Sequence, residues 1–167
     1  MLYRAACLLF IMLCVCSCAS PRAPGTSPPR DFSAHLTVLG GPDASPAWYA
    51  VGADNTLRIS RSLRTASTPV PPAARVLSRG EVLGVWQRSA ALETADGAAR
   101  IASEAAALPA TASIAYAGVL LSTTGNGATR CYVFVPPTRG NADAWDACLR
   151  FAQHMESLSQ ARDPSLP

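Results

Sequence analysis

The sequence contains no lysine, so all 14 of its cationic side chains are arginines. This absence excludes Schiff-base chemistry, lysine general bases and the phosphate-binding loop of the Walker type, because each of them needs a primary amine. Histidine is also scarce, and His35 and His154 are too few for a three-histidine metal site. The net charge of +3 is small and scattered along the 167 residues, whereas a nucleic-acid binder usually presents a concentrated basic face. We therefore expect neither a nucleic-acid partner nor a metal ion.

The sequence also lacks the short motifs that mark common active sites. It contains no G-x-S-x-G elbow, no G-x-G-x-x-G loop and no H-E-x-x-H zinc motif. Asp54-Asn55-Thr56 is not followed by the further acidic ligands that a calcium loop requires. These absences predict no cofactor and no recognisable catalytic residue, and they favour a protein without enzymatic activity.

The most specific pattern lies in the first twenty residues. Arg4 precedes an unbroken apolar run from Ala5 to Val15. A membrane-spanning helix needs about 20 apolar residues, so this run is too short to be one. Its length and its basic flank are typical of the central region of a signal peptide.

The residues that follow the apolar run resemble the lipobox of bacterial lipoproteins. Val15 matches the aliphatic residue of that motif, Ser17 matches the small residue before the cleavage site, and Cys18 matches the cysteine that receives a diacylglyceryl group. The resemblance, which covers only the leader, implies a signal peptide over residues 1–17 and a lipid anchor at Cys18. Ala19, in place of an aspartate, implies the outer membrane as the destination. The alternative is ordinary secretion, because Ser17-Cys18-Ala19 also fits a signal peptidase that would cut after Ala19.

A proline-rich tether follows the proposed anchor. Residues 18–31 include Pro21, Pro24, Pro28 and Pro29 and lack the bulky apolar side chains that a core requires. An extended polyproline segment of this kind would hold a domain some 30–40 Å from the bilayer. The sequence thus predicts a single domain over residues 32–160 and a short tail over residues 161–167.

Two cysteines remain in the mature domain, Cys131 and Cys148. An even pair in an exported protein is typical of a disulfide, because the compartment is oxidising. Such a bond would stabilise the fold by about 3 kcal/mol in the chain-entropy model. The alternative is a reactive thiol pair, but neither a C-x-x-C spacing nor an adjacent histidine supports it.

Alternating apolar and polar residues predict several strands, paired as hairpins. Asp54-Asn55 separates two runs of strand-forming residues, and Asn126-Gly127 separates two more. Both pairs accommodate positive φ, which tight hairpin turns require. The predicted strands cover His35–Leu39, Trp48–Gly52, Thr56–Ser60, Ser113–Thr123 and Ala128–Val135, and residues 62–74 are predicted to form a surface connection.

Two helices follow from local start signals and apolar periodicity. Ser78 and Glu81 have the spacing of a capping box, and Val82, Val85 and Trp86 continue at helical spacing. A final helix is predicted to begin near Asn141, and an alanine-rich stretch, Ala98–Leu108, is a candidate for a third. The predicted fold is α+β, a small antiparallel sheet of hairpins with two or three helices packed on one face.

The first functional hypothesis is a lipid-anchored envelope protein with a non-catalytic binding or structural domain. Its expected partners are the membrane, through the N-terminal lipid, and another envelope protein. One alternative is an anchored or secreted hydrolase whose site is assembled in three dimensions, and a pocket with His35 and two acidic groups would favour it. The other is a secreted inhibitor-like module. A shared aromatic surface at Trp48 and Tyr49 would favour a binding module.

Overall fold

The computed structural model describes residues 27–41, 44–62, 69–96, 98–101, 118–136 and 142–161. The predicted signal peptide, Cys18, most of the tether and nearly all of the tail lie outside these ranges. The described segments belong to a sheet and to two helices that share a hydrophobic core. The predicted α+β fold is confirmed.

Seven strands in the described segments form one antiparallel sheet. Their order across the sheet is β4-β3-β2-β1-β6-β7-β5, which places β1 at the centre and β4 and β5 at the edges. The bounds of the strands are β1 (Ser33–Gly40), β2 (Ala47–Val51), β3 (Thr56–Ser60), β4 (Ala73–Val76), β5 (Ala99–Ile101), β6 (Gly118–Gly125) and β7 (Ala128–Phe134).

The two described helices, α1 (Arg79–Glu93) and α2 (Ala142–Gln160), pack on the same face of this sheet. Leu36 and Phe134 point towards the helices, where they meet Val85 of α1 and Phe151 of α2 in one buried cluster. Because side chains alternate along a strand, the neighbours of these residues, such as His35, point to the opposite face. That face carries a smaller apolar cluster around Leu39 and Leu120, with Ile101 and Val133 packed against it.

The edge strands differ from the sequence prediction. β4 (Ala73–Val76) begins in the last two residues of the stretch 62–74 that was expected to be a surface connection, and it pairs with β3. β5 replaces the first residues of the alanine-rich helix candidate, and Ala99 to Ile101 pair with β7. Residues 102–108 of that candidate lie outside the described residues. Among the described residues, the order of elements is therefore β-β-β-β-α-β-β-β-α.

Both predicted hairpin turns are confirmed, with an asparagine in the left-handed region at each. Asn55 has φ 62° between β2 and β3, and Asn126 has φ 54° between β6 and β7. Asp54 supports the first turn, because its carboxylate accepts hydrogen bonds from the Thr56 amide at 3.1 Å and the Thr56 hydroxyl at 2.6 Å. These bonds lower the pKa of Asp54. Asparagine tolerates positive φ at little cost, so both turns follow from local chemistry.

The second hairpin turn is also fastened to the start of the domain by Asp31. One carboxylate oxygen of Asp31 accepts a hydrogen bond from the Asn126 amide at 2.8 Å, and the other accepts one from the Gly127 amide at 2.6 Å. The bonds from Gly127 and Asn126 lower the pKa of Asp31. The chain therefore enters the sheet at a fixed point, one end of β1 beside the β6–β7 turn.

The capping box at the start of α1 forms as predicted and continues into a partly buried ion pair. The Ser78 amide donates to the Glu81 carboxylate at 2.7 Å, and the Glu81 amide donates to the Ser78 hydroxyl at 3.4 Å. Arg75 of β4 has a side chain that is 5% exposed. Its terminal nitrogen Nη2 contacts both oxygens of the Glu81 carboxylate, at 2.8 and 2.9 Å. Its other terminal nitrogen donates to the backbone carbonyls of Leu158 and Ala161 at the end of α2. Arg75 thus joins β4, α1 and α2.

Within the described segments, neither helix combines the length and the apolarity that a membrane-spanning segment needs.

Candidate functional site

The two cysteines of the domain are buried free thiols, so the predicted disulfide is wrong. Cys148 lies in the core between the helices and the sheet. Cys131 points to the opposite face, where its thiol lies 3.6 Å from the hydroxyl of Ser122 on β6. Periodicity placed each cysteine on the apolar side of its own helix or strand. The sheet, however, has two apolar faces: Cys148 packs against one of them, and Cys131 points out from the other.

Burial governs the reactivity expected of these thiols. Desolvation raises the pKa of Cys148 to about 12, so its reactive thiolate is scarce at neutral pH. We expect iodoacetamide at pH 8, without reductant, to leave both cysteines unmodified in the native protein and to alkylate both in 8 M urea. Peptide mass spectrometry measures this directly. A peptide pair linked through Cys131 and Cys148, lost on reduction, would contradict the structure.

Trp48 and Tyr49, the residues considered as a possible binding surface, do not form a shared aromatic surface. They are consecutive residues of β2 and therefore point to opposite faces of the sheet. Tyr49 is buried in the core beneath the helices. Its burial, together with nearby Glu156, raises the pKa of the phenol. Trp48 lies on the other face, where its ring is 5.9 Å from the ring of His35 at a tilt of 54°.

His35 is therefore separated from the carboxylates of the helix side. Glu81, Glu93 and Glu156 all belong to the two helices, whereas His35 points away from them. A hydrolase site would need such groups to converge within hydrogen-bonding reach of one substrate. The structure does not bring His35 together with these three carboxylates.

Glu93 is at the centre of a polar cluster between the end of α1 and the sheet. Its carboxylate accepts hydrogen bonds from the Thr123 hydroxyl at 2.5 Å and the Tyr132 hydroxyl at 3.4 Å. Arg130 lies 3.7 Å from the same group. Desolvation, followed by the charge of Glu93, raises the pKa of Tyr132. These contacts satisfy the hydrogen-bonding capacity of the carboxylate and fasten α1 to β6 and β7. The cluster therefore has a structural role.

A groove of about 620 Å³ runs between α1 and α2 on the outer side of the helix layer. Its apolar lining comes from Leu92 of α1 and Phe151 of α2, together with alanines of both helices. Arg88 of α1, and Arg150 and His154 of α2, bring cationic or titratable groups to the same groove. Its volume falls in the range of known ligand sites, which pair an apolar lining with a few polar groups. We take this groove as the candidate site.

The two groove arginines lack carboxylate partners among the described residues. Arg88 donates only to the backbone carbonyl of Gly84, at 3.3 Å, and Arg150 takes part in none of the ion pairs found there. By contrast, Arg61, Arg75 and Arg130 each lie beside a glutamate. Both groove arginines are exposed at the surface and are thus available to an anionic ligand.

His154 is held in the wall of the groove rather than in solvent. Its Nε2 atom is buried without a hydrogen-bond partner and packs towards Gly84 of α1, the glycine whose carbonyl Arg88 contacts. Burial and the nearby charge of Arg88 lower the pKa of His154, and Glu81 opposes them weakly. The helical periodicity placed His154 on the polar face of α2, but α1 covers part of that face.

Acid is expected to destabilise the protein in two stages. The pKa of His154 is lowered in the folded state, so the unfolded state binds its proton first as the pH falls below about 6.5. The pKa of Glu81 is also lowered by its partners, so its stabilising contribution is lost as the pH falls below about 4.5. Urea unfolding measured from pH 8 to pH 4 should show a decreasing free energy of unfolding.

The contribution of His154 can be separated by substitution. His154→Gln should flatten the pH dependence between pH 6.5 and pH 5 and leave the later decrease in place. Unchanged dependence in that interval would contradict the assignment to His154. Measurements between pH 7.5 and pH 8 are the internal control, since neither group is expected to change its protonation there.

Within the ranges that the structure describes, no three histidine, cysteine or acidic side chains converge as metal ligands do. Comparisons of the chain with models of protein families, with curated proteins and with solved structures found no match.

Proposed function

We propose that this protein is a lipid-anchored component of a bacterial cell envelope whose small domain binds a partner without catalysis. The observation that carries the proposal is the sequence Val15-Cys16-Ser17-Cys18, which follows an apolar run of signal-peptide length. By its resemblance to the lipobox, Cys18 is the lipidated residue. Ala19 favours the outer membrane, with the domain on its periplasmic side.

The start of the folded domain is compatible with such an anchor. Asp31 fastens the chain beside the β6–β7 turn only 13 residues after Cys18. A fully extended segment of that length reaches at most about 45 Å. The anchor would therefore keep this end of the sheet within about 45 Å of the bilayer and leave the helices free to meet other envelope components.

Binding is favoured over catalysis by the contacts of the three described glutamates. Glu81 and Glu156 are engaged by Arg75 and Arg61, and Glu93 is engaged by Thr123. These contacts give each carboxylate a structural role. The groove between α1 and α2 instead offers unpaired cations over an apolar lining, an arrangement suited to holding a ligand rather than to transferring a proton.

The anchor is tested by the mass of the mature N-terminus, purified from membranes of a host that processes lipoproteins. The expected chain starts at Cys18 and carries the added mass of a diacylglyceryl group, with or without an N-linked acyl chain. Cys18→Ser should abolish both the lipid and the membrane association. Cys16→Ser is the matched control, because it changes a neighbouring cysteine and leaves the acceptor intact. A lipid-free chain that starts at Ser20 would overturn the anchor and favour secretion.

A further inference from the structure

We propose that the groove between α1 and α2 binds an acidic peptide segment of a partner protein, with carboxylates at Arg88 and Arg150 and an apolar side chain between them. This inference specifies the partner for the binding domain but does not depend on the lipid anchor. It rests on three features of the groove: its unpaired cations, its apolar lining and its openness.

The cations of the groove come from both helices. Arg88 on α1 and Arg150 on α2 line it, and His154 contributes an imidazole beside Arg88. The glutamates of the neighbouring surface do not neutralise these arginines, because Glu81 pairs with Arg75 and Glu156 pairs with Arg61. Asp146 lies one turn before Arg150 on α2, but no ion pair joins the two side chains.

The same groove has an apolar lining. Leu92 is 2% exposed and Phe151 is 2% exposed, so both present only a small edge to the groove while their bulk fills the core. Alanines at positions 91 and 147 keep the space above them open. An apolar side chain placed there would be desolvated, while flanking carboxylates would reach the arginines. Carboxylate–guanidinium contacts add direction as well as attraction.

The shape favours a peptide over the other anionic partners of an envelope. A bilayer surface is too flat to bring its head groups and an apolar group into a concave site between two helices. A free fatty acid would leave much of its chain in water, because one side of the groove is open. A peptide segment tolerates that opening, since its own backbone and alternate side chains face solvent. Docking of the apolar face of a peptide into an apolar groove is a recurrent mode of peptide recognition.

The test measures fluorescence anisotropy of a labelled peptide in which glutamate alternates with leucine, titrated with the purified full-length protein in a nonionic detergent. The matched peptide has glutamine in place of glutamate. We expect the glutamate peptide to bind at least tenfold more tightly than the glutamine peptide. Loss of two partly solvated charge contacts accounts for a difference of that order.

Substitutions identify the site. The double variant Arg88→Gln, Arg150→Gln is expected to weaken binding of the glutamate peptide at least tenfold. Arg79→Gln, Arg100→Gln is the matched control, because it removes the same charge from exposed arginines outside the groove and should change binding less than twofold. Circular dichroism and thermal unfolding establish that both double variants are folded.

Three results would overturn the proposal. The first is absence of binding by the glutamate peptide. The second is equal weakening by the two double variants, which would mean attraction by net charge alone. The third is tighter binding of octanoate than of the glutamate peptide, together with loss of octanoate binding in the Arg88→Gln, Arg150→Gln variant. The groove would then be a site for a free carboxylic acid. None of these results bears on the lipid at Cys18, so the two proposals fail separately.

Discussion

Replacing Phe134 by alanine is expected to lower the free energy of unfolding by about 3–5 kcal/mol, the usual cost of removing a buried phenylalanine from a well-packed core. Phe134 is 1% exposed and lies at the end of β7 on the face that the helices cover. Its removal would leave a cavity beneath α1 and α2, which can close only if a helix moves. Urea unfolding followed by far-ultraviolet circular dichroism measures the change.

Val133→Ala is the matched control for this substitution. Val133 precedes Phe134 on β7 and points to the opposite face, where it is half-buried beside Leu39 and Leu120. Its truncation is expected to cost about 1 kcal/mol, because fewer contacts are lost. A cost for Val133→Ala equal to that for Phe134→Ala would contradict the assignment of the main core to the helix face.

Arg75→Met is expected to cost about 3 kcal/mol, even though methionine preserves much of the apolar stem. The substitution leaves the carboxylate of Glu81 without the Nη2 group that contacts both of its oxygens, and the carbonyl of Leu158 without its donor. Removing one member of a buried ion pair costs more stability than the intact pair contributes, because the remaining charge stays desolvated. Glu81 keeps about a quarter of its side chain in solvent, which limits the penalty.

A double-mutant cycle distinguishes the ion pair from the other contacts of Arg75. In the Arg75→Met background, Glu81→Gln should cost markedly less than it does alone, because the two side chains act together. Strict additivity would mean that the carbonyl contacts at the end of α2 account for the whole effect. Arg61→Met is the surface comparison: Arg61 pairs with Glu156 but is 79% exposed, and its loss should have little effect on stability.

The elements that the sequence predicts well are those determined by neighbouring residues. Ser78 and Glu81 satisfy each other's backbone amides within one helical turn. Asn126 adopts positive φ in the two-residue turn between β6 and β7. β4 was missed because its only buried residue is an arginine, Arg75, and its strand geometry comes from pairing with β3. β5 was missed because three residues carry no detectable periodicity and are held in the sheet by β7.

The candidate site was harder to predict for a different reason. Alternation along β2 does indicate that Trp48 and Tyr49 point to opposite faces, so their separation was available from the sequence. Nothing local indicates that Arg88 and Arg150, which are 62 positions apart in the chain and lie on different helices, line one groove. The predicted disulfide between Cys131 and Cys148 was wrong for a similar reason. The alternation along β7 shows that Cys131 lies on an apolar face of the sheet, but it does not show which of the two apolar faces the helices cover.

The position of β1 at the centre of the sheet has a mechanical consequence for an anchored protein. Any force transmitted from the N-terminus enters the domain at Asp31 and passes into β1, which is hydrogen-bonded along its length to β2 on one side and to β6 on the other. A pull along the strand loads both rows of bonds in parallel and in shear, whereas a pull on an edge strand could open one row bond by bond. A lipid anchor of the proposed kind would thus pull on the domain at the strand that best resists unfolding by force.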